Sequence, residues 1–173
     1  PECSGTGWPG HYCPPATAVP LRCPTGTYLP PLLDDGVTVV AGFSLASCLP
    51  CIPGTYNPEE NRSDYGCIAC PAGKLSDNLR ATACSDCPEG GFCASQGAAS
   101  QRMTYEPCRA GTYNPSRGAS DNSSCTTCMV GKANPVPGSS SSDVCLDCLP
   151  GSVAPVNGTA VCVLCEPGKY QGQ

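Results

Sequence analysis

The residue with the most chemistry to offer in this chain is cysteine. Cysteine accounts for 17 of 173 residues, and six Cys-x-x-Cys pairs recur: Cys48/Cys51, Cys67/Cys70, Cys84/Cys87, Cys125/Cys128, Cys145/Cys148 and Cys162/Cys165. Two chemistries use such pairs. Four thiolates at the spacing Cys48-x2-Cys51-x15-Cys67-x2-Cys70 suit a zinc ribbon, in which a tetrahedral ion takes two sulfurs from each of two turns. Oxidised, the same thiols would staple short loops in place of a core. Spacing alone leaves both readings open. Three N-glycosylation sequons, Asn61-Arg62-Ser63, Asn122-Ser123-Ser124 and Asn157-Gly158-Thr159, lie inside inter-cysteine loops a few residues before the closing cysteine. Sequons placed this way point to an oxidising, extracellular setting and favour disulfides over metal.

Other reactive types give less. His11, two residues before Cys13, could form a Cys-His nucleophilic pair, but it is the only histidine and Cys13 has a ready structural use. Asp34-Asp35 and Glu59-Glu60 are adjacent carboxylates, yet neither forms the alternating acidic loop with a closing glutamate that calcium prefers. They read as a turn and a solvated surface. The chain is therefore expected to be no enzyme, with no catalytic, cofactor or metal residues assigned. Nine Lys and Arg, nowhere clustered, in a chain of net charge −5 argue against a nucleic-acid partner. No apolar run approaches the roughly 20 residues of a membrane span, so no insertion is expected in this segment. No basic-then-apolar leader opens the chain, which reads as mature or internal sequence.

The elements that must position these cysteines are dictated by a thin apolar inventory. Leu, Ile, Val and Phe make up about 15% of the chain, below the level at which a packed core becomes doubtful. Twenty Gly and twenty Pro favour turns and short extended pieces over helices. Cys-x-x-Gly recurs eight times, opening at Cys23, Cys51, Cys70, Cys87, Cys108, Cys128, Cys148 and Cys165. Its Gly suits a turn with positive φ, and the Thr-Tyr-Asn-Pro after two copies (Thr55 to Pro58, Thr112 to Pro115) reads as a short strand leaving that turn. Leu32 to Val40, apolar around Asp35-Gly36, reads as a β-hairpin. Ser139 to Ser142 reads as a solvated loop. Trp8, Tyr12, Phe92 and Tyr170 fall near the joins between units and are expected to pack over neighbouring disulfides.

A longer period lies above the short one. At an offset of 77 to 85 residues, Cys13, Cys23, Cys48, Cys51, Cys67, Cys70, Cys84 and Cys87 fall in order on Cys93, Cys108, Cys125, Cys128, Cys145, Cys148, Cys162 and Cys165. This predicts two eight-cysteine units, 13–92 and 93–173, after a tail of a preceding unit at 1–12, with the partner of Cys165 expected beyond Gln173.

Cys23-Pro-Thr-Gly-Thr-Tyr28, Cys51-Ile-Pro-Gly-Thr-Tyr56, Cys70-Pro-Ala-Gly-Lys74 and Cys108-Arg-Ala-Gly-Thr-Tyr113, each followed by Cys-x-x-Cys, resemble the ephrin-receptor-like or GCC2/GCC3 cysteine-rich repeats. These are distantly similar to tumour-necrosis-factor-receptor repeats, and long arrays of them look like those of large protist and algal surface proteins. Leu75, Ala133 and Val153, where Tyr is usual, and the long Cys23 to Cys48 segment depart from the pattern. The resemblance implies that the cysteine before each Gly turn bridges to the first cysteine of the next pair: Cys23–Cys48, Cys51–Cys67, Cys70–Cys84, Cys108–Cys125, Cys128–Cys145 and Cys148–Cys162. Cys3, Cys13, Cys87 and Cys93 then pair most simply as Cys3–Cys13 and Cys87–Cys93, leaving Cys165 unpaired.

The expected fold is thus small, disulfide-rich and mostly irregular, with short β-hairpins and almost no α-helix, elongated into a tandem-repeat rod. The expected function is that of an extracellular, cell-surface structural glycoprotein. Its partners would be further repeats, other copies of itself and attached glycans, with sugar at Asn61, Asn122 and Asn157 and an assembly contact at Val37, Val39, Val40 and Phe43. The alternative is a receptor or adhesin ectodomain that binds a protein ligand.

Overall fold

A cysteine followed two residues later by a glycine able to take positive φ forces the chain to reverse, and the fold repeats that reversal. The computed structural model describes residues 11–29, 44–59, 66–97 and 105–169. In these, each of the eight Cys-x-x-Gly glycines has φ between 73° and 89°. The residue after the glycine closes the turn. Thr27, Thr55, Thr112 and Ser152 each donate their hydroxyl to the carbonyl three residues back, at 2.7–2.8 Å. The same carbonyls also accept the backbone N–H of these residues at 3.0–3.1 Å, so the hydroxyl adds a second bond to a turn already closed by the main chain.

From six of these turns two residues leave as a strand and pair with the two residues inside the following Cys-x-x-Cys, whereas after Cys87 three residues, Gly91–Cys93, pair with Tyr105–Pro107. The strands are β1 (His11–Tyr12), β2 (Leu21–Arg22), β3 (Thr27–Tyr28), β4 (Leu49–Pro50), β5 (Thr55–Tyr56), β6 (Ile68–Ala69), β7 (Lys74–Leu75) and β8 (Ser85–Asp86). They continue as β9 (Gly91–Cys93), β10 (Tyr105–Pro107), β11 (Thr112–Tyr113), β12 (Thr126–Thr127), β13 (Lys132–Ala133), β14 (Leu146–Asp147), β15 (Ser152–Val153) and β16 (Val163–Leu164). Consecutive strands pair into eight two-stranded sheets. The register is constant from copy to copy: Tyr28 faces Leu49, Tyr56 faces Ile68, Tyr113 faces Thr126, Ala133 faces Leu146 and Val153 faces Val163. Among the described residues there is no α-helix, only three short 3-10 turns at Leu45–Ser47, Asn122–Ser124 and Ser142–Val144, each directly before a cysteine. This is the small, disulfide-rich fold of short hairpins expected from the sequence. The hairpin expected at Leu32 to Val40 lies outside the described residues.

The interior is made of sulfur and small polar groups. Among the described residues, Cys23, Cys51, Cys70, Cys87, Cys93 and Cys108 have no exposed surface, and the buried large apolar side chains are Leu75 and Phe92. Asn57, Asn114 and Asn134 are the largest fully buried side chains among these residues. Contacts group the described residues into two compact units. One lies within Pro1–Pro71, Leu75–Ser85 and Gln96–Ser100, the other within Ala72–Lys74, Asp86–Ser95 and Gln101–Gln173. The spans 13–92 and 93–173 mark the sequence repeat rather than these contact groups.

Candidate functional site

The chemistry-bearing residues resolve into a ladder of disulfides. Cys23–Cys48, Cys51–Cys67, Cys70–Cys84, Cys87–Cys93, Cys108–Cys125, Cys128–Cys145 and Cys148–Cys162 are joined, with Cα atoms 5.5–5.9 Å apart. These are seven of the eight pairs that the sequence reading gave. Cys13 is also disulfide-bonded, and the Cys3–Cys13 pairing lies outside the described residues. Cys165 carries a free thiol and is half-buried. Each bridge closes a loop of 6 to 25 residues, a size worth about 3 kcal/mol by restricting the unfolded chain. The four cysteines of the zinc spacing are spread over three different bridges, to Cys23, between Cys51 and Cys67, and to Cys84. With its sulfur in a disulfide, Cys13 offers His11 no thiolate; His11 lies in β1 opposite Arg22.

Between bridges, each module is tied to the next by main-chain hydrogen bonds that recur at fixed positions, counted here from the cysteine that opens the Gly turn. The turn glycine donates its N–H to the carbonyl at Cys+6 of the following module: Gly26 to Asn57, Gly54 to Ser76, Gly90 to Asn114, Gly111 to Asn134 and Gly131 to Ala154, at 2.7–2.9 Å. Its own carbonyl accepts from the opening cysteine of that module, as in Cys51 to Gly26, Cys128 to Gly111 and Cys148 to Gly131. A second turn at Cys+10 returns the contact: Arg80, Gly118, Gly138 and Gly158 donate to the carbonyls of Cys51, Cys87, Cys108 and Cys128. Strands stop after two residues because the next N–H and carbonyl are spent on the neighbouring module.

Asparagine reinforces this joint in three modules. The Nδ2 groups of Asn57, Asn114 and Asn134 donate to the carbonyls of Thr27, Gly91 and Thr112 in the preceding module, at 2.7–3.0 Å. Their Oδ1 atoms accept the N–H two residues on, from Glu59, Ser116 and Val136. One buried side chain therefore fixes both its own loop and the neighbour. These clamps escaped the sequence reading. The signal was present as Asn at Cys+6 in three copies, but Ser76, Cys93 and Ala154 interrupt it.

The remaining groups sit on the surface. The Lys74 ammonium bonds Asp86 and, with its charge, holds that carboxyl below the usual carboxylate range. Lys132 pairs with Asp147 at 2.8 Å in the same cross-strand register. Asp121 is lowered by hydrogen bonds from Ser123 and Ser120, and burial raises the Tyr105 phenol. Asn122 and Asn157 are exposed. Glu59 is exposed too, and Phe92 is buried next to Cys93 in β9. Tyr12 is half-buried in β1. Asn61, Asp34, Asp35, Glu60, Trp8, Tyr170 and the expected contact at Val37, Val39, Val40 and Phe43 lie outside the described residues.

The chain matches no family model and no curated protein. What it can do therefore rests on this architecture. Dense disulfides fit a secreted or extracellular protein, and no helix among the described residues is long and apolar enough to cross a membrane.

Proposed function

We propose that the chain is part of an extracellular structural glycoprotein whose tandem cysteine-rich modules build a rod or filament, such as a cell-surface fibre, flagellar hair or glycocalyx strand. The observation that carries this reading is the recurring joint. Because its donors and acceptors are main-chain atoms at Cys, Cys+3, Cys+6 and Cys+10, a module can be followed by another of different side-chain composition. Repeat proteins grow by such nearest-neighbour terms. A Cβ at Gly73, Gly90 or Gly111 would overlap the carbonyl of Gly118, Gly138 or Gly158, whereas no described residue lies within 4 Å of one at Gly131 or Gly151. Partners on this reading are other repeats, other copies and attached sugars.

Negative-stain microscopy of native material tests it. A regular fibre with a repeating axial step supports the proposal, and dispersed single particles without such a step contradict it.

A second reading, a receptor or adhesin ectodomain, is favoured by one feature. A groove of about 570 Å³ is lined by Tyr113, Met129, Lys132, Leu146 and Asp147 among others, with Met129 74% and Leu146 64% exposed. Apolar side chains held open in this way suit a protein ligand. Loss of cell or ligand adhesion in Met129→Glu/Leu146→Glu, with fibres intact, would favour this reading over the first.

A further inference from the structure

The two described sequons are built in opposite ways. At Asn122–Ser124 every hydrogen bond is local: Asp121 Oδ1 accepts the Ser123 N–H at 2.8 Å, the Asp121 carbonyl accepts the Ser124 N–H at 3.3 Å, and the Asn122 carbonyl accepts the Cys125 N–H at 3.1 Å. None of the three uses the Asn122 side chain or the Ser124 hydroxyl. At Asn157–Thr159 the triad is tied to the preceding module. Asn157 Oδ1 accepts the Val130 N–H at 3.0 Å, and Gly158, at φ 79°, donates to the Cys128 carbonyl at 2.8 Å. The Thr159 carbonyl accepts the Asn134 N–H at 3.2 Å, and its hydroxyl donates to the Val156 carbonyl at 2.7 Å.

Attaching a sugar to a sequon needs the asparagine amide and the hydroxyl two residues on to be presented together to an enzyme. In the transfer, the bond from sugar C1 to the pyrophosphate of a lipid-linked donor breaks and a C1–Nδ2 bond forms. The pyrophosphate leaves with the electron pair, and the amide gives up one proton. At Asn122 the amide is exposed and Ser124 half-buried, and although the triad lies beside Gly91–Cys93, no hydrogen bond of it to another module must break. At Asn157 the loop must first leave Val130, Cys128 and Asn134, and Thr159 must release its hydroxyl. The clamp uses Oδ1 while the sugar uses Nδ2, so a sugar added before the joint closes leaves the Val130 bond available afterwards.

We propose that folding gates glycosylation at Asn157, which accepts sugar only before the module opened by Cys148 docks on the one opened by Cys128, whereas Asn122 accepts it before or after. This rests on the extracellular glycoprotein reading above. The sister turns offer a clean perturbation. Pro53, Pro150 and Pro167 occupy the position of Val130 in their own Cys-x-x-Gly turns, so Val130→Pro deletes the donor to Asn157 with a residue that this turn tolerates.

The experiment incubates the unglycosylated recombinant chain, oxidised or reduced and alkylated, with oligosaccharyltransferase and a lipid-pyrophosphate oligosaccharide, then maps the peptides by mass spectrometry. Expected is sugar at both sites in the reduced chain. In the oxidised chain Asn157 should fall by about tenfold or more relative to Asn122, the scale set by hydrogen bonds that must open, with partial recovery in oxidised Val130→Pro. Equal modification of both sites in the oxidised chain, loss of both there, or no sugar at Asn157 in the reduced chain overturns the proposal. Sugar-free native material would instead sink the glycoprotein reading, while this in vitro contrast would stand on its own.

Discussion

The joint between the modules opened by Cys108 and Cys128 and the joint between those opened by Cys128 and Cys148 differ at Cys+6, where one has asparagine and the other alanine, and the second adds the bond from the Val130 N–H to Asn157 Oδ1. At the first, Asn134 accepts the Gly111 N–H through its carbonyl and also clamps the Thr112 carbonyl and Ser139 hydroxyl through Nδ2. At the second, Ala154 accepts the Gly131 N–H in the same way and adds nothing from its methyl group. Both joints form. The backbone therefore carries the connection, and asparagine locks it. The same holds at Ser76, where the carbonyl keeps its bond to Gly54.

The largest expected effect breaks the backbone part. Gly111→Ala would press its Cβ on the Gly158 carbonyl at φ 85°, and denaturant unfolding should show a loss of about 3 kcal/mol or more. Gly131→Ala has the same φ problem but no described residue within 4 Å of its Cβ, so its cost should be about 1–2 kcal/mol. Equal losses would mean that the contact from the following modules is unimportant. Removing the lock comes next. Asn134→Ala leaves a buried carbonyl and an N–H unpaired and should cost about 2 kcal/mol, whereas Asn157→Ala, which loses one exposed bond, should cost about 1 kcal/mol or less.

A smaller change runs the other way. Arg80 holds the Cys+10 turn at φ 60°, where Gly118, Gly138 and Gly158 stand in the sister modules. Arg80→Gly should raise stability by about 1 kcal/mol, and a loss would show that the Arg80 side chain matters more than its backbone. The smallest effect is electrostatic. Asp121, with its carboxyl lowered by the Ser123 and Ser120 bonds, stabilises the fold above its unfolded value, and that share is lost as pH falls through the folded one. Unfolding midpoints followed downward from neutral pH should therefore drop slightly more for the parent chain than for Asp121→Asn.

The pairing of cysteines was legible through the resemblance to known cysteine-rich repeats, which implied a bridge from the cysteine before each Gly turn to the first cysteine of the next pair; spacing alone left metal and disulfide both open. The short strands leaving the Gly turns were legible from the Thr-Tyr after two of them, but their partners inside the Cys-x-x-Cys pairs and the register were not. The Cys13 turn was not. Thr17 repeats the bonds of Thr27, with its N–H and hydroxyl both on the Pro14 carbonyl, but Ala16 takes the glycine position at φ 66°, so a search for Cys-x-x-Gly passes over it. The asparagine clamps were hidden for a different reason. Asn57 and Asn114 read as part of the short strands Thr55 to Pro58 and Thr112 to Pro115, and only the position of the preceding module reveals that Asn57, Asn114 and Asn134 are buried clamps. Sequence gives the local loop, while the joint is a property of two loops together.

The most direct test of the account is peptide mapping of the native, unreduced protein by mass spectrometry. The account predicts cross-linked peptides for Cys108–Cys125, Cys128–Cys145 and Cys148–Cys162, and likewise for the pairs from Cys23 to Cys93. Bonds closing inside a Cys-x-x-Cys pair, such as Cys125–Cys128, or bonds other than Cys87–Cys93 that join residues 13–92 to residues 93–173 would contradict it.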